Sequence, residues 1–195
     1  MKYFLITLVL LISFSVISEN YKELSIDKLK SAAQSGDEVA MGFLAENYEK
    51  GYLVEKDLQK ALSWYTKASE LNYAPAQYNL AVMLHNGDGI AADYPQSVFW
   101  AEKSAQQNYA AAQFLLASFY DQGKGVYENK HSAAQWYQRA ADQNNSMAQF
   151  NLALMKLKGD GIEKNVDEGM QLLKKAASNH HVQAQSVLDL INNQN

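Results

Sequence analysis

The chain has 195 residues, 48% of them hydrophobic and 19% charged, with a formal net charge of −4 and no cysteine. This composition excludes a disordered chain, and its mild acidity gives little electrostatic footing for nucleic acid or anionic lipid. The lack of cysteine excludes a disulfide frame, a thiol nucleophile and thiolate metal ligation.

The first element in chain order is a predicted export leader. Lys2 precedes an apolar run from Tyr3 to Ile17, and Val16 and Ser18 suit the −3 and −1 positions of a signal-peptidase site. Residues 1–18 therefore read as a signal peptide cut after Ser18, because the run falls short of the roughly 20 residues that span a bilayer. An uncleaved anchor is the alternative. Residues 19–195 keep 16 of the 17 basic and all 21 acidic residues and hold no second long apolar run. They are expected to form one soluble periplasmic or secreted domain, with no stable membrane insertion.

A leading helix is predicted over about residues 25–35, and from there the chain repeats with a period of 36. Trp64, Trp100 and Trp136 are the only tryptophans and stand 36 residues apart. Leu44, Leu80, Leu116, Leu152 and Leu188 form a second column, and Gly51, Gly87, Gly123 and Gly159 a third. A fixed period of this length signals a solenoid. Each unit divides into helices A and B. Ala76, Leu80, Ala81 and Leu84 make an apolar stripe of helical spacing on A, and Ala61, Tyr65, Ala68 and Ser69 make one on B.

Asp57, Asp93, Asn129 and Asn165 stand where each B helix begins and are preferred N-cap types. Gln96 and Glu168 follow at capping-box spacing. The B helices end at Gly36, Asn72, Asn108, Asn144 and His180, types that accept a left-handed backbone. Pro75 and Pro95 fall in first turns. The units cover about 37–72, 73–108, 109–144 and 145–180, and a final A-like helix covers about 182–191. The expected fold is an all-α solenoid of antiparallel helix pairs, four full repeats with a capping helix at each end.

The stretch AQYNLAVMLHNGDGI, with VFWAEKSA downstream, resembles the Sel1-like repeat, a relative of the tetratricopeptide repeat. The resemblance rests on Asn79-Leu80-Ala81 and Asn151-Leu152-Ala153. It rests also on the turns Gly87-x-Gly89-Ile90, Gly123-x-Gly125-Val126 and Gly159-x-Gly161-Ile162, and it covers about residues 25–191. The first unit departs from it, with Phe43 for the Asn and Gly51-Tyr52-Leu53 lacking the second glycine, so a differently shaped turn is expected there. The resemblance implies a right-handed superhelix and an adaptor or scaffold that binds other proteins. It also implies a bacterial envelope or host-interface setting, since many such proteins are exported.

No catalytic constellation emerges, and neither cofactor nor metal is expected. His85, His131, His180 and His181 form no HExxH motif. Adjacent His180 and His181 diverge on a helix and read as a helix-end and a surface residue. The Gly-x-Gly turns lack a preceding strand and a following GK[ST], and read as helix-to-helix turns using positive φ. The two GDG stretches lack the alternating oxygen ligands of a calcium loop.

Trp64, Trp100 and Trp136 read as packing residues, Leu172 taking their place in the fourth unit, or as a platform for sugars. The candidate binding site lies on helix A. Tyr78, Phe114 and Phe150 form an aromatic ladder beside Asn79 and Asn151, with Glu46, Val82, Ser118 and Leu154 one turn on. Aromatic rings flanked by amides suit a concave groove for an extended peptide or a helix, and the two amides suit backbone clamps. The same rings would equally serve to pack A on A. Five A helices side by side give a path of roughly 40–50 Å, the span of about 12–15 extended residues. The expected function is a non-enzymatic protein- or peptide-binding scaffold. A cell-wall glycan module competes with it. So does a cell-wall or β-lactam hydrolase, which lacks a nucleophile–base pair here.

Overall fold

The computed structural model describes residue 21 and residues 24–192. The predicted leader lies outside the described residues. Among these residues the chain forms ten helices and no strands: α1 (Ile26–Gln34), α2 (Glu38–Lys50), α3 (Leu58–Glu70), α4 (Ala74–Asn86), α5 (Tyr94–Gln106), α6 (Ala110–Gln122), α7 (Lys130–Asp142), α8 (Ser146–Lys158), α9 (Val166–Ser178) and α10 (Val182–Asn192). Even-numbered helices are the A members and odd-numbered helices the B members. Extensive contact is confined to helices consecutive in the chain, the arrangement of an all-α solenoid.

The predicted B-helix caps form. Asp57, Asp93, Asn129 and Asn165 accept from the amides of Lys60, Gln96, Ser132 and Glu168 at 2.9–3.0 Å. The reciprocal capping-box arm does not form, because each N-cap amide is already used. It donates to the carbonyl of Tyr48, Leu84, Tyr120 or Lys156 at 2.8–2.9 Å, tying the turn to the preceding A helix. Glu168 instead pairs with Lys156 at 2.8 Å.

Asn72, Asn108, Asn144 and His180 all adopt φ of 63–66°, closing the B helices as expected. The A helices end on left-handed Gly51, Gly87, Gly123 and Gly159. After three of them the next residue but one is a second positive-φ glycine. A Cβ at Gly125 would fall 2.6 Å from the Tyr94 carbonyl oxygen, on the first residue of the preceding B helix. The second glycine thus lets each turn sit against the repeat before it. The first turn does differ: Leu53 replaces that glycine and is 53% exposed.

Three apolar clusters follow one another along the stack. Trp100 packs against the first and second in chain order, and Trp136 against the second and third. Between the clusters runs a polar ladder that the apolar pattern does not reveal. Gln77, Gln113 and Gln149 are each 1% exposed. Gln113 Nε2 donates to the Ala105 carbonyl at 3.3 Å and to Asn108 Oδ1 at 3.0 Å. Its Oε1 accepts from Gln143 at 2.8 Å. Gln77 accepts from Gln107 at 2.7 Å and Gln149 from Asn179 at 2.9 Å. At Asn72–Gln77 and Asn108–Gln113 the asparagine that closes one helix and a glutamine of the next are therefore one hydrogen-bonded unit.

Candidate functional site

Tyr78, Phe114 and Phe150 stand at equivalent positions on α4, α6 and α8 and are half-buried. Each ring meets a ring further along the chain. Tyr78 meets Tyr109 with centroids 5.5 Å apart, Phe114 meets Tyr137 at 5.7 Å, and Phe150 stacks on His181 at 4.6 Å. Tyr78 and Phe150 thereby reach toward the next repeat, while Phe114 packs on the B helix of its own. His181 is more than the surface residue expected. Its Nδ1 accepts from the Ala184 amide at 3.2 Å, so it caps α10 as well as stacking.

The Asn79 and Asn151 amides lie close enough to the hydroxyls of Tyr65 and Tyr137 to influence them. Tyr65 is wholly buried and donates to Glu49 Oε2 at 2.9 Å. Burial pushes its hydroxyl pKa far above the ordinary value, and Glu49 adds to the shift. Burial, then Asp121, pushes Tyr137 up to about 12. In the repeat between, Ala101 replaces the tyrosine and Leu115 the asparagine. Tyrosine and asparagine thus occur together and disappear together.

Val82, Ser118 and Leu154 are half-buried on the same face, and Ser118 Oγ accepts from Gln122 at 2.7 Å. Glu46 lines a pocket of about 240 Å³ with Gly42, Phe43, Tyr73, Asn79 and Tyr109. A second hollow of about 150 Å³ includes Asn151 and Leu154. There Lys130 pairs with Asp121 at 2.8 Å, which neutralises its floor.

The tryptophans are half-buried on the B helices. Lys67 Nζ lies 4.3 Å over the Trp64 ring centroid and Arg139 Cζ 4.4 Å over that of Trp136. Phe99 meets Trp100 edge-on at 5.0 Å. Sugar stacking would have to displace these groups. Sequence reasoning also missed the surroundings of His85. Its Nε2 lies 3.2 Å from Lys124 Nζ, and Tyr94 and Phe119 pack around its ring. Burial and the lysine depress its pKa. The equivalent residues Glu49, Asp121 and Leu157 share no chemistry with it, so the period carried no signal.

Among the described residues no group of His, Asp and Glu is placed to hold a metal ion. No helix among them is long and apolar enough to cross a membrane.

A stack of paired helices with one aromatic- and amide-lined face defines a helical-repeat protein. The Sel1 repeat signature matches residues 39–73, 74–109, 110–145 and 146–181, and the chain belongs to the Sel1 repeat family. Proteins of this family are generally protein-interaction scaffolds and typically non-catalytic. Two solved structures are similar throughout the repeats. One is a protective antigen of uropathogenic Escherichia coli with an SLR fold, at 31% identity and a TM-score of 0.81 over 83% of this chain. The other is a Sel1 repeat protein of Oxalobacter formigenes, at 32% identity and 0.78 over 85%. The chain spans 35% and 48% of those two proteins. Cysteine-rich protein B of Helicobacter pylori is similar at 26% identity and 0.55, covering 70% of this chain and 98% of that one. No curated protein matches the chain.

Proposed function

We propose that this chain is an exported, non-enzymatic adaptor that binds a protein segment along the face shared by α2, α4, α6, α8 and α10. One observation carries the reading. Tyr78, Phe114 and Phe150 hold half-exposed rings at one-repeat intervals, beside side-chain amides close to buried tyrosine hydroxyls. Rings supply contact area at low entropy cost, and side-chain amides can both donate to and accept from a peptide backbone. Export is supported by the leader pattern of residues 1–18. A related protein acting as a protective antigen fits a protein displayed outside the cytoplasm.

The test is affinity capture with the chain from Glu19 onward, read by mass spectrometry. The control carries Tyr78→Leu, Phe114→Leu and Phe150→Leu, which keeps apolar packing but removes the ring faces. A partner held by the wild type should be retained at least tenfold less by the equally helical variant, since anchor rings dominate interface energy. Equal retention refutes the groove. Retention on purified peptidoglycan, with no captured protein, replaces this reading with glycan binding.

A further inference from the structure

We propose that the pocket between α2 and α4 receives one cationic side chain, a lysine or arginine of the bound segment, on the Glu46 carboxylate between the rings of Tyr73 and Tyr109. This rests on the A face being the binding groove, and it assigns that groove an end with a fixed charge.

Four observations converge on the pocket. The first is its shape. At about 240 Å³ it lies below the roughly 300–1,000 Å³ of sites for drug-sized ligands, and suits one long side chain. The second is how it is made. The ladder position holds Tyr78, Phe114 and Phe150 in the later repeats but Gly42 here. Tyr73 lies over that glycine so closely that a Cβ would come within 2.6 Å of its ring. The Tyr73 ring takes up the space beside the missing side chain and becomes part of the pocket wall.

The third is the state of Glu46. Two neighbouring acidic groups are engaged: Glu49 bonds Tyr65 and Lys50, and Asp37 accepts from the Tyr21 hydroxyl and from the Val39 and Ala40 amides. Glu46 has no hydrogen bond or ion pair among the described residues, although it is half-buried. Its position in the later repeats is held by Val82, Ser118 and Leu154, so the carboxylate belongs to this pocket alone. The fourth is the wall. Phe43, Tyr73 and Tyr109 line the pocket, and aromatic rings attract ammonium and guanidinium groups to their faces. Burial is the main cause of the raised pKa of Tyr73 and Tyr109, and the Glu46 charge adds to both, which places the carboxylate within electrostatic reach of each hydroxyl. A partly desolvated carboxylate backed by aromatic rings selects a cation over a neutral group of equal size.

The full chain, labelled in its tyrosine rings, would be titrated by NMR with acetyl-lysine amide and acetyl-arginine amide. Acetyl-norleucine amide and acetyl-citrulline amide serve as neutral shape controls. The cationic probes should shift the Tyr73 and Tyr109 signals saturably, at least tenfold more tightly than the neutral ones, and added salt should weaken them. Glu46→Gln should reduce cation binding to the neutral level with no change in melting temperature. Gly42→Ala should displace the Tyr73 ring and weaken the same probes; if it fails to fold, Glu46→Gln decides. Equal binding of charged and neutral probes, or a Glu46→Gln variant that binds like wild type, overturns the proposal. A captured protein partner held equally by Glu46→Gln refutes the cation pocket and leaves the adaptor reading standing. A working cation pocket with no protein partner refutes the adaptor instead.

Discussion

A Cβ at position 125 meets two obstacles. The backbone is left-handed at φ +75°, and the Tyr94 carbonyl lies 2.6 Å from where the carbon would be. At Gly36 the backbone is also left-handed, at φ +101°, but nothing lies within 4 Å. Left-handed strain on a non-glycine residue costs about 1–2 kcal/mol, and a backbone clash adds to it. Gly125→Ala should therefore destabilise the protein by at least about 2 kcal/mol in urea unfolding, and clearly more than Gly36→Ala. Equal losses would mean that the close approach between repeats is worth nothing. Such glycines are legible in the sequence because a backbone requirement recurs at every repeat and few residue types meet it. The link between Tyr137 and Asn151 is less legible. Each residue alone reads as core or as surface, and their relation shows only when the Ala101–Leu115 pair is set beside them. Glu46 was legible as a residue of the A face, but the pocket it forms with Gly42 was hidden for the opposite reason. Both residues break their columns, and a column reading treats a break as noise at the edge of a stack.

Eight of the ten helices, α2 to α9, have the same length of 13 residues, and their ends follow from local chemistry. Caps, left-handed closures and apolar stripes all sit within a few residues of one another, so helix boundaries were readable. What joins the helices was not, because the amide ladder links residues 30 and 35 positions apart. The periodic glutamines were a visible signal, yet a polar residue on an A helix reads by default as solvent-facing. Burial makes the ladder consequential. Gln113→Met preserves volume but withdraws two donated bonds and the acceptor for Gln143. A buried group left unpaired costs about 1–3 kcal/mol. The variant should lose about 2–3 kcal/mol in urea unfolding, with helicity unchanged before the transition. A loss under about half a kcal/mol would show that the ladder marks register without stabilising it.

At the scale of the molecule, the tyrosines make folding sensitive to alkali. Below pH 10 the hydroxyls of Tyr65 and Tyr137 are protonated in both folded and unfolded chains. Above it the unfolded chain releases protons that the folded chain retains, because burial holds both folded pKa values higher. Stability must then fall as pH rises from about 10 toward 12, at about 1.4 kcal/mol per unit for each such group. Melting curves by circular dichroism should show this fall, with the tyrosinate absorbance of the buried rings rising in the step that loses helicity. Tyr137→Phe should make the fall shallower.

The period itself can be tested by excision. Removing residues 93–128 joins Ala92 to Asn129, which replaces Asp93 as the N-cap of the next B helix. Gln143 then stands where Gln107 bonded Gln77, and Trp136 where Trp100 bridged two clusters. The amide and tryptophan partners keep chemical equivalents, while Asn145 replaces Tyr109 beside Tyr78 and Asp160 replaces Lys124 beside His85. The shortened chain should still unfold cooperatively, with a urea m-value lower by roughly a fifth, since m follows the surface exposed. Excising two residues fewer keeps the composition but turns the following helices out of register, and should give a chain of low helicity that aggregates. If both excisions fail alike, the repeats are not interchangeable, and stability resides in the particular neighbours each repeat has rather than in the 36-residue rule.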